Sequence, residues 1–357
     1  MTANYNDMLA LAKIAIKADA SAPVAYSFKN SDGKVENYSA QQVNDALRAQ
    51  IEELVPAGDY YAWQENKNTV FRLITEVLDE VLPKKVEAQY MQFAEVKTIP
   101  QGDRAVFRQR VTEAARKRAK SFVTAVGLAG RYETFMLDGT EITVKTGAMG
   151  AAARIGLEEF LDGRWQLSDF TSIILEGMDE YIYKEIAKAL QSLVTALPTA
   201  NKVVANKFDE KSMDEILAIA DAYGNGPAQI FCTFEFAATM KPDANWASSD
   251  MKNTLWTQGA FTSYKGHQIN ILPQSLEDVT NTKKVIDPSM AYIIPAGSDK
   301  PIKLVFEGQT LVREIENQLD DWSREMQTYK KFGIATFTNY WICSYQNTSL
   351  TMNTRSN

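Results

Sequence analysis

The chain has 357 residues, a formal net charge of -7 and one histidine. That length buries a sizeable core and points to two or three domains. The acidic balance excludes tight, general nucleic-acid binding, which needs Lys and Arg against the phosphates, but not a protein that encloses nucleic acid without gripping it.

Hydrophobic residues make up 45% and charged residues 23%, as in an ordinary folded soluble protein. No run is long and apolar enough to span a bilayer. The N-terminus has no basic start followed by an apolar run, so no signal peptide is expected. Cys232 and Cys343 are the only cysteines, which fits a reducing compartment without disulfides. The sequons at Asn37 and Asn347 then read as chance matches.

In chain order, residues 1–20 read as a short amphipathic helix with Met8, Leu9, Leu11, Ile14 and Ile16 as its apolar positions. Residues 21–38 are polar, with a turn at Ser31-Asp32-Gly33. Residues 39–54 form a second helix, capped by Ser39, with Val43, Leu47, Ile51 and Leu54 on one face. Residues 68–82 form a third, stopped by Pro83. These pieces make an arm over residues 1–85 with little core of its own, so it packs on something else.

Residues 86–163 read as an extended loop. Residues 93–99 and 105–111 are strand-like, separated by Pro100-Gln101-Gly102-Asp103. The densest basic cluster follows: Arg104, Arg108, Arg110, Arg116, Lys117, Arg118 and Lys120. Residues 132–137 and 141–145 flank Asp138-Gly139-Thr140, a hairpin signal. Residues 147–153 are small and read as flexible. A projecting two-stranded loop is marginal alone and needs a partner surface.

Residues 168–196 form the longest periodic segment. Phe170, Ile173, Ile174, Met178, Tyr181, Ile182, Ile186, Ala189, Leu190, Leu193 and Leu197 recur at steps of three and four, which aligns them along one side of a helix. Ser168 caps it, Asp169 complements its dipole, and Pro198 stops it. At ~1.5 Å per residue it runs roughly 43 Å. No second segment of matching length pairs with it in the pattern, so it reads as a spine.

Residues 199–300 alternate short helices and strands. Ser212 and Glu215 make a capping box for a helix through Ala222. Residues 230–234, 268–272 and 291–294 are strands of a compact mixed α/β domain. Residues 303–306, 310–316 and 333–345 are strands packed on the spine, the last with Ala335, Phe337, Trp341, Cys343 and Tyr345 on one face. Residues 346–357 read as a flexible tail. The fold class is α+β.

No phosphate loop, nucleophile elbow, metal-binding His/Glu motif, paired cysteines or calcium loop occurs, so no catalytic, cofactor or metal residue is assigned. His267 reads as a hydrogen-bonded turn histidine, and Cys232 as a buried small hydrophobe rather than a nucleophile. Glu314, Glu316, Asp320, Asp321 and Glu325 form an acidic cluster. It could take a divalent cation, which would make the chain a metal-dependent enzyme. The favoured reading pairs this cluster with the 104–120 basic cluster of a neighbouring copy. A long chain with an arm, a projecting hairpin, a spine and no catalytic constellation reads as an assembly subunit.

The order of these elements resembles that of tailed-bacteriophage major capsid proteins, the Hong Kong 97-type fold. The resemblance rests locally on Gly259-Ala260-Phe261-Thr262-Ser263-Tyr264-Lys265-Gly266-His267-Gln268-Ile269, on Ile271-Leu272-Pro273-Gln274-Ser275 and on Met290-Ala291-Tyr292-Ile293-Ile294-Pro295-Ala296-Gly297. It continues through Ile302-Lys303-Leu304-Val305-Phe306-Glu307-Gly308 and Gln327-Thr328-Tyr329-Lys330-Lys331-Phe332-Gly333-Ile334.

The resemblance implies an N-terminal arm (1–85), an extended loop (86–163), a peripheral domain (164–199 and 300–345), an axial domain (200–299) and a C-terminal tail (346–357). It implies no enzyme activity. It implies homo-oligomers, hexamers and pentamers, closing an icosahedral virion shell around weakly held double-stranded DNA. Partners would be a scaffolding protein, a portal and a cement protein, with assembly in the host cytoplasm and no membrane. Some members crosslink a Lys to a neighbour's Asn; Lys145 lies on the loop, but nothing pairs it, so crosslinking is not carried over. An encapsulin-like compartment shell, which shares the fold, and a tail structural protein are the alternatives.

Overall fold

The computed structural model describes residues 5–17, 26–29, 35–38, 40–56, 59–108, 141–155, 167–223, 226–241, 249–296, 300–316, 324–337 and 342–353. It divides into two units. One comprises Met1–Ala105, Val144–Tyr183 and Leu304–Ile334, the other Val106–Thr143, Lys184–Lys303 and Ala335–Asn357.

The first unit opens with α1 (Tyr5–Lys17), then β1 (Tyr26–Lys29) and β2 (Val35–Tyr38), paired antiparallel. These two short strands flank the expected turn in a stretch read as irregular. Next come α2 (Ala40–Leu54) and α3 (Tyr60–Tyr90).

Helix α3 departs most from the sequence pattern. It starts earlier, because the Asp59 carboxylate accepts from the backbone N–H of Tyr61 and Ala62, each at 3.0 Å. It also continues through Pro83. A proline inside a helix costs about 3 kcal/mol. Leu78, Leu82 and Val86 are fully buried around it, and each such side chain contributes roughly 1.5–3 kcal/mol. Burial therefore outweighs the lost backbone bond.

Packing of the three helices also gives the arm a core. Met8, Leu11 and Ala12 of α1, Leu47 of α2, and Leu73 and Val77 of α3 form one buried cluster. The expectation of an arm without its own core is corrected.

The same unit contains β3 (Ala94–Ile99), β6 (Gly147–Ile155), β12 (Ile302–Glu316) and β13 (Arg324–Thr336), in the sheet order β3-β12-β13-β6. The two strands expected at 303–306 and 310–316 are one, because Gly308 continues the chain at φ +70°. Residues 147–153, read as flexible, are strand. β6 runs antiparallel to β13, Gly150 opposite Tyr329. Its small residues permit close packing, since a Cβ on Gly150 would lie 2.8 Å from the Thr328 carbonyl oxygen.

Two short strands, β4 (Ala105–Arg108) and β5 (Glu141–Val144), pair with each other. Residues 132–140 of the expected hairpin lie outside the described residues.

Helix α4 spans Leu167–Ala196. Ile174, Met178, Ile182, Ile186, Leu190 and Leu193 are buried as the periodicity predicts, while Ile173 and Tyr181 face solvent. Helix α3, with 31 residues, matches the 30 of α4. The two meet where Lys85 pairs with Asp179 at 2.8 Å and Tyr90 stacks on Tyr183. A second helix of the spine's length therefore exists, and it touches the spine at this crossing.

The second unit is built on a mixed six-stranded sheet. Its strands are β7 (Lys202–Ala205), β8 (Gln229–Thr233), β9 (Ser263–Tyr264), β10 (His267–Leu272), β11 (Met290–Ile294) and β14 (Cys343–Asn347), in the order β7-β14-β11-β8-β10-β9. β8 runs parallel to β10 and antiparallel to β11. Helices α5 (Glu210–Tyr223), α6 (Phe234–Thr239) and α7 (Ser249–Gln258) accompany it. Met213, Ile216 and Leu217 of α5 and Phe236 of α6 join Ile230, Cys232, Ile293 and Tyr345 in its core.

Asp209, not Ser212, caps α5; its carboxylate accepts from the Ser212 N–H at 3.0 Å. The strand expected at 333–345 is two, one in each sheet. Residues 346–353 are held rather than loose: Thr348 N–H donates to Ala205 O at 2.9 Å and Lys284 N–H to Met352 O at 3.0 Å. Residues 354–357 lie outside the described residues.

Candidate assembly interface

Two buried ion-pair networks set the frame of the first unit. In one, Asp79 of α3 receives the backbone N–H of Thr310 at 2.9 Å, the Thr310 hydroxyl and the Lys330 ammonium. Lys330 is 1% exposed, and its ammonium also lies over the Phe306 ring, 5.8 Å from the centroid. A buried ammonium is tolerable only when paired and hydrogen-bonded. This one ties α3 to β12 and β13. In the other network Glu307 of β12 meets Gly102, Thr146 and Lys331.

The sequence pattern pointed to neither network. For the second, Glu307 directly after the apolar run 302–306 was the available signal, since a charge beside continuous burial demands a partner.

Of the basic cluster, Arg104 and Arg108 are described, and both are exposed. Arg108 pairs with Glu141 at 2.7 Å, across the short β4–β5 ladder. Arg110, Arg116, Lys117, Arg118 and Lys120 lie outside the described residues.

Of the acidic cluster, Glu314 accepts from the Trp63 indole N–H at 3.3 Å and lies 3.6 Å from Lys67. Glu325 accepts from the Gln327 amide at 2.6 Å. Glu316 ends β12; its side chain, and Asp320 and Asp321, lie outside the described residues. Among the described residues no group of three or more His, Cys, Asp or Glu could hold a metal ion.

The second unit carries apolar residues at its surface. Trp256 on α7 is 90% exposed and Val279 is 99% exposed. Val279 follows Asp278, whose carboxylate accepts from the hydroxyls of Thr280 and Thr282 and the N–H groups of Thr282 and Lys283. Those donors, the Thr280 hydroxyl foremost, hold the Asp278 carboxyl well below the usual carboxylate range.

His267 is buried in β10 rather than in a turn. Its Nδ1 lies 3.0 Å from Ala228 O and its Nε2 3.5 Å from Asp221. Cys232 is buried, and desolvation pushes its thiol up to about 12. That excludes a thiolate nucleophile at neutral pH.

A family model described as "SPbeta prophage-derived putative capsid protein YonB" matches residues 21–345. No curated protein sequence matches the chain. Among solved structures, the capsid of the cyanophage P-SCSP1u is 8% identical, covers 71% of this chain and 86% of its own, and has a TM-score of 0.50. The capsid of a native GTA particle is 14% identical, covers 73% and 90%, and also scores 0.50. The SrpI encapsulin of Synechococcus elongatus PCC 7942 is 11% identical over 75% and 88%, with a TM-score of 0.44. At such identities the two capsids bear on the fold alone, and they share the α+β fold expected for this chain.

Proposed function

Because the chain belongs to this prophage-derived capsid-protein family, we propose that it is the major capsid subunit of a tailed-phage particle, assembling as hexamers and pentamers around double-stranded DNA. The observation that carries the reading is a family match over residues 21–345, nearly the whole chain. It is a structural protein of the virion shell, not an enzyme.

The finer parts of the reading rest on the sequence and on physical argument. Residues 1–85 act as the arm, 86–163 as the extended loop, 164–199 with 300–345 as the peripheral domain and 200–299 as the axial domain. The basic cluster at 104–120 docks on the acidic cluster at 314–325 of a neighbouring copy, with charge complementarity fixing register more than affinity. The net charge of -7 keeps the shell from clinging to the packaged DNA. A scaffolding protein, a portal and a cement protein complete the particle, which assembles in the host cytoplasm.

Native mass spectrometry of the purified chain tests the oligomer. Five- and sixfold multiples of the chain mass support the reading, and a single non-cyclic dimer contradicts it. Nuclease-protected DNA in particles from the lysogen, rather than an enzyme cargo, separates a virion shell from a compartment shell.

A further inference from the structure

The first unit gives up the chain at Ala105 and takes it back at Val144. One carboxylate holds the turns beside both crossings. Glu307 is buried, at 5% exposed. It accepts from the backbone N–H of Gly102, in the turn before β4, at 3.0 Å. It also accepts from the hydroxyl of Thr146, in the turn after β5, and from the Lys331 ammonium at 2.9 Å.

Close packing at two glycines independently seats each turn on a neighbouring strand. Gly308 sits at φ +70°, and a Cβ there would lie 3.1 Å from the Gln101 side chain. A Cβ on Gly333 would lie 2.7 Å from the Lys145 carbonyl oxygen. The turn at 101–102 thus rests on β12 and the turn at 145–146 on β13, with Glu307 between them.

A carboxylate needed only to neutralise Lys331 would not have to reach a backbone N–H in one turn and a hydroxyl in the other. We infer that Glu307 is a positioning residue that locks the Gly102 and Thr146 turns together and sets, before any copy docks, the spacing of Ala105 and Val144, where the first unit releases and resumes the chain. The hydroxyl, the N–H and the ammonium, in that order, also hold its carboxyl down at about 2, so the lock stays charged at neutral pH. Its consequence for assembly rests on the capsid reading above; the lock itself does not.

The test is hydrogen–deuterium exchange on the unassembled full chain, comparing wild type with Glu307→Met and Thr146→Val. In Glu307→Met the Gly102 amide should exchange about ten times faster or more, as expected when a hydrogen bond to a charged acceptor is lost. Peptides over 144–147 should loosen with it, while α3 amides around Leu73–Leu78 keep their protection. Unchanged exchange at Gly102, or a uniform rise through Leu73–Leu78, would overturn the inference.

Thr146→Val keeps shape and decides the matter if Glu307→Met does not fold. Faster exchange at 144–147 supports the lock, and wild-type exchange there overturns it. Normal shells from a folded variant with loosened turns would remove the assembly consequence. Failure of the wild-type chain to form shells would count instead against the capsid reading.

Discussion

Replacing Ile182 with Ala tests whether the α4 stripe is core. Ile182 is fully buried between Met178 and Ile186, whereas Ile173 on the same helix is 49% exposed. Ile→Ala removes three carbons, about 2.4 kcal/mol at ~0.8 per buried methylene. The residual cavity raises this to roughly 3–4 kcal/mol, and the better helix propensity of Ala returns about 0.4. The net loss is about 3 kcal/mol. For Ile173→Ala, half the transfer energy is at stake and no closed cavity remains, so the net loss is under about 1 kcal/mol. The assay is urea unfolding of the unassembled chain, followed by far-UV circular dichroism. With a slope of about 2–3 kcal/mol per molar, Ile182→Ala should lower the midpoint by about 1 M and Ile173→Ala by about 0.3 M. Equal shifts, or an Ile182→Ala midpoint at wild type, would refute the assignment of faces.

Asp79→Ala strands the buried Lys330 ammonium and should cost about 3–5 kcal/mol, more than Lys330→Met, which removes the charge and keeps the volume; paired urea titrations check the order. Stability should also fall in acid. Glu307 is held at about 2 against an ordinary 4.5, so its contribution is complete above about pH 4.5 and is lost as pH falls through about 2. Urea midpoints measured from pH 5 to 2 should decline in wild type and decline less steeply in Glu307→Gln, where Glu80, also held at about 2, still contributes. Reversing Arg116, Lys117 and Arg118 to Glu should block assembly with the circular dichroism spectrum unchanged, and normal shells from that variant would remove the charge-docking step.

In the second unit helix α5 and the strands β8, β10 and β11 could be read from the sequence, because their apolar residues repeat at the spacing of one buried face, whereas α6, α7, β7 and β9 are too short to carry such a stripe. The α4 stripe was drawn too wide: Ile173 and Tyr181 fit the spacing but face solvent. Pro83 misled because a local rule weighs only the lost backbone bond, while the burial of Leu82 and Val86 is tertiary. Residues 147–153 looked loose because they are small, yet small side chains are what the approach of β13 to Gly150 requires. The alternation through 333–345 hid a change of sheet at Phe337, which is buried and donates its N–H to Pro301 O at 2.6 Å. Lys330 and Lys331 are neighbours of one type, and only the fold separates the buried partner of Asp79 from the partner of Glu307.

The central claim, that this chain builds a shell from copies of itself, is tested most directly by negative-stain electron microscopy of the purified protein, in dilute buffer and with a crowding agent. Closed shells, or five- and six-membered rings that go on to close, are the expected result. A chain that stays monomeric under both conditions would contradict it.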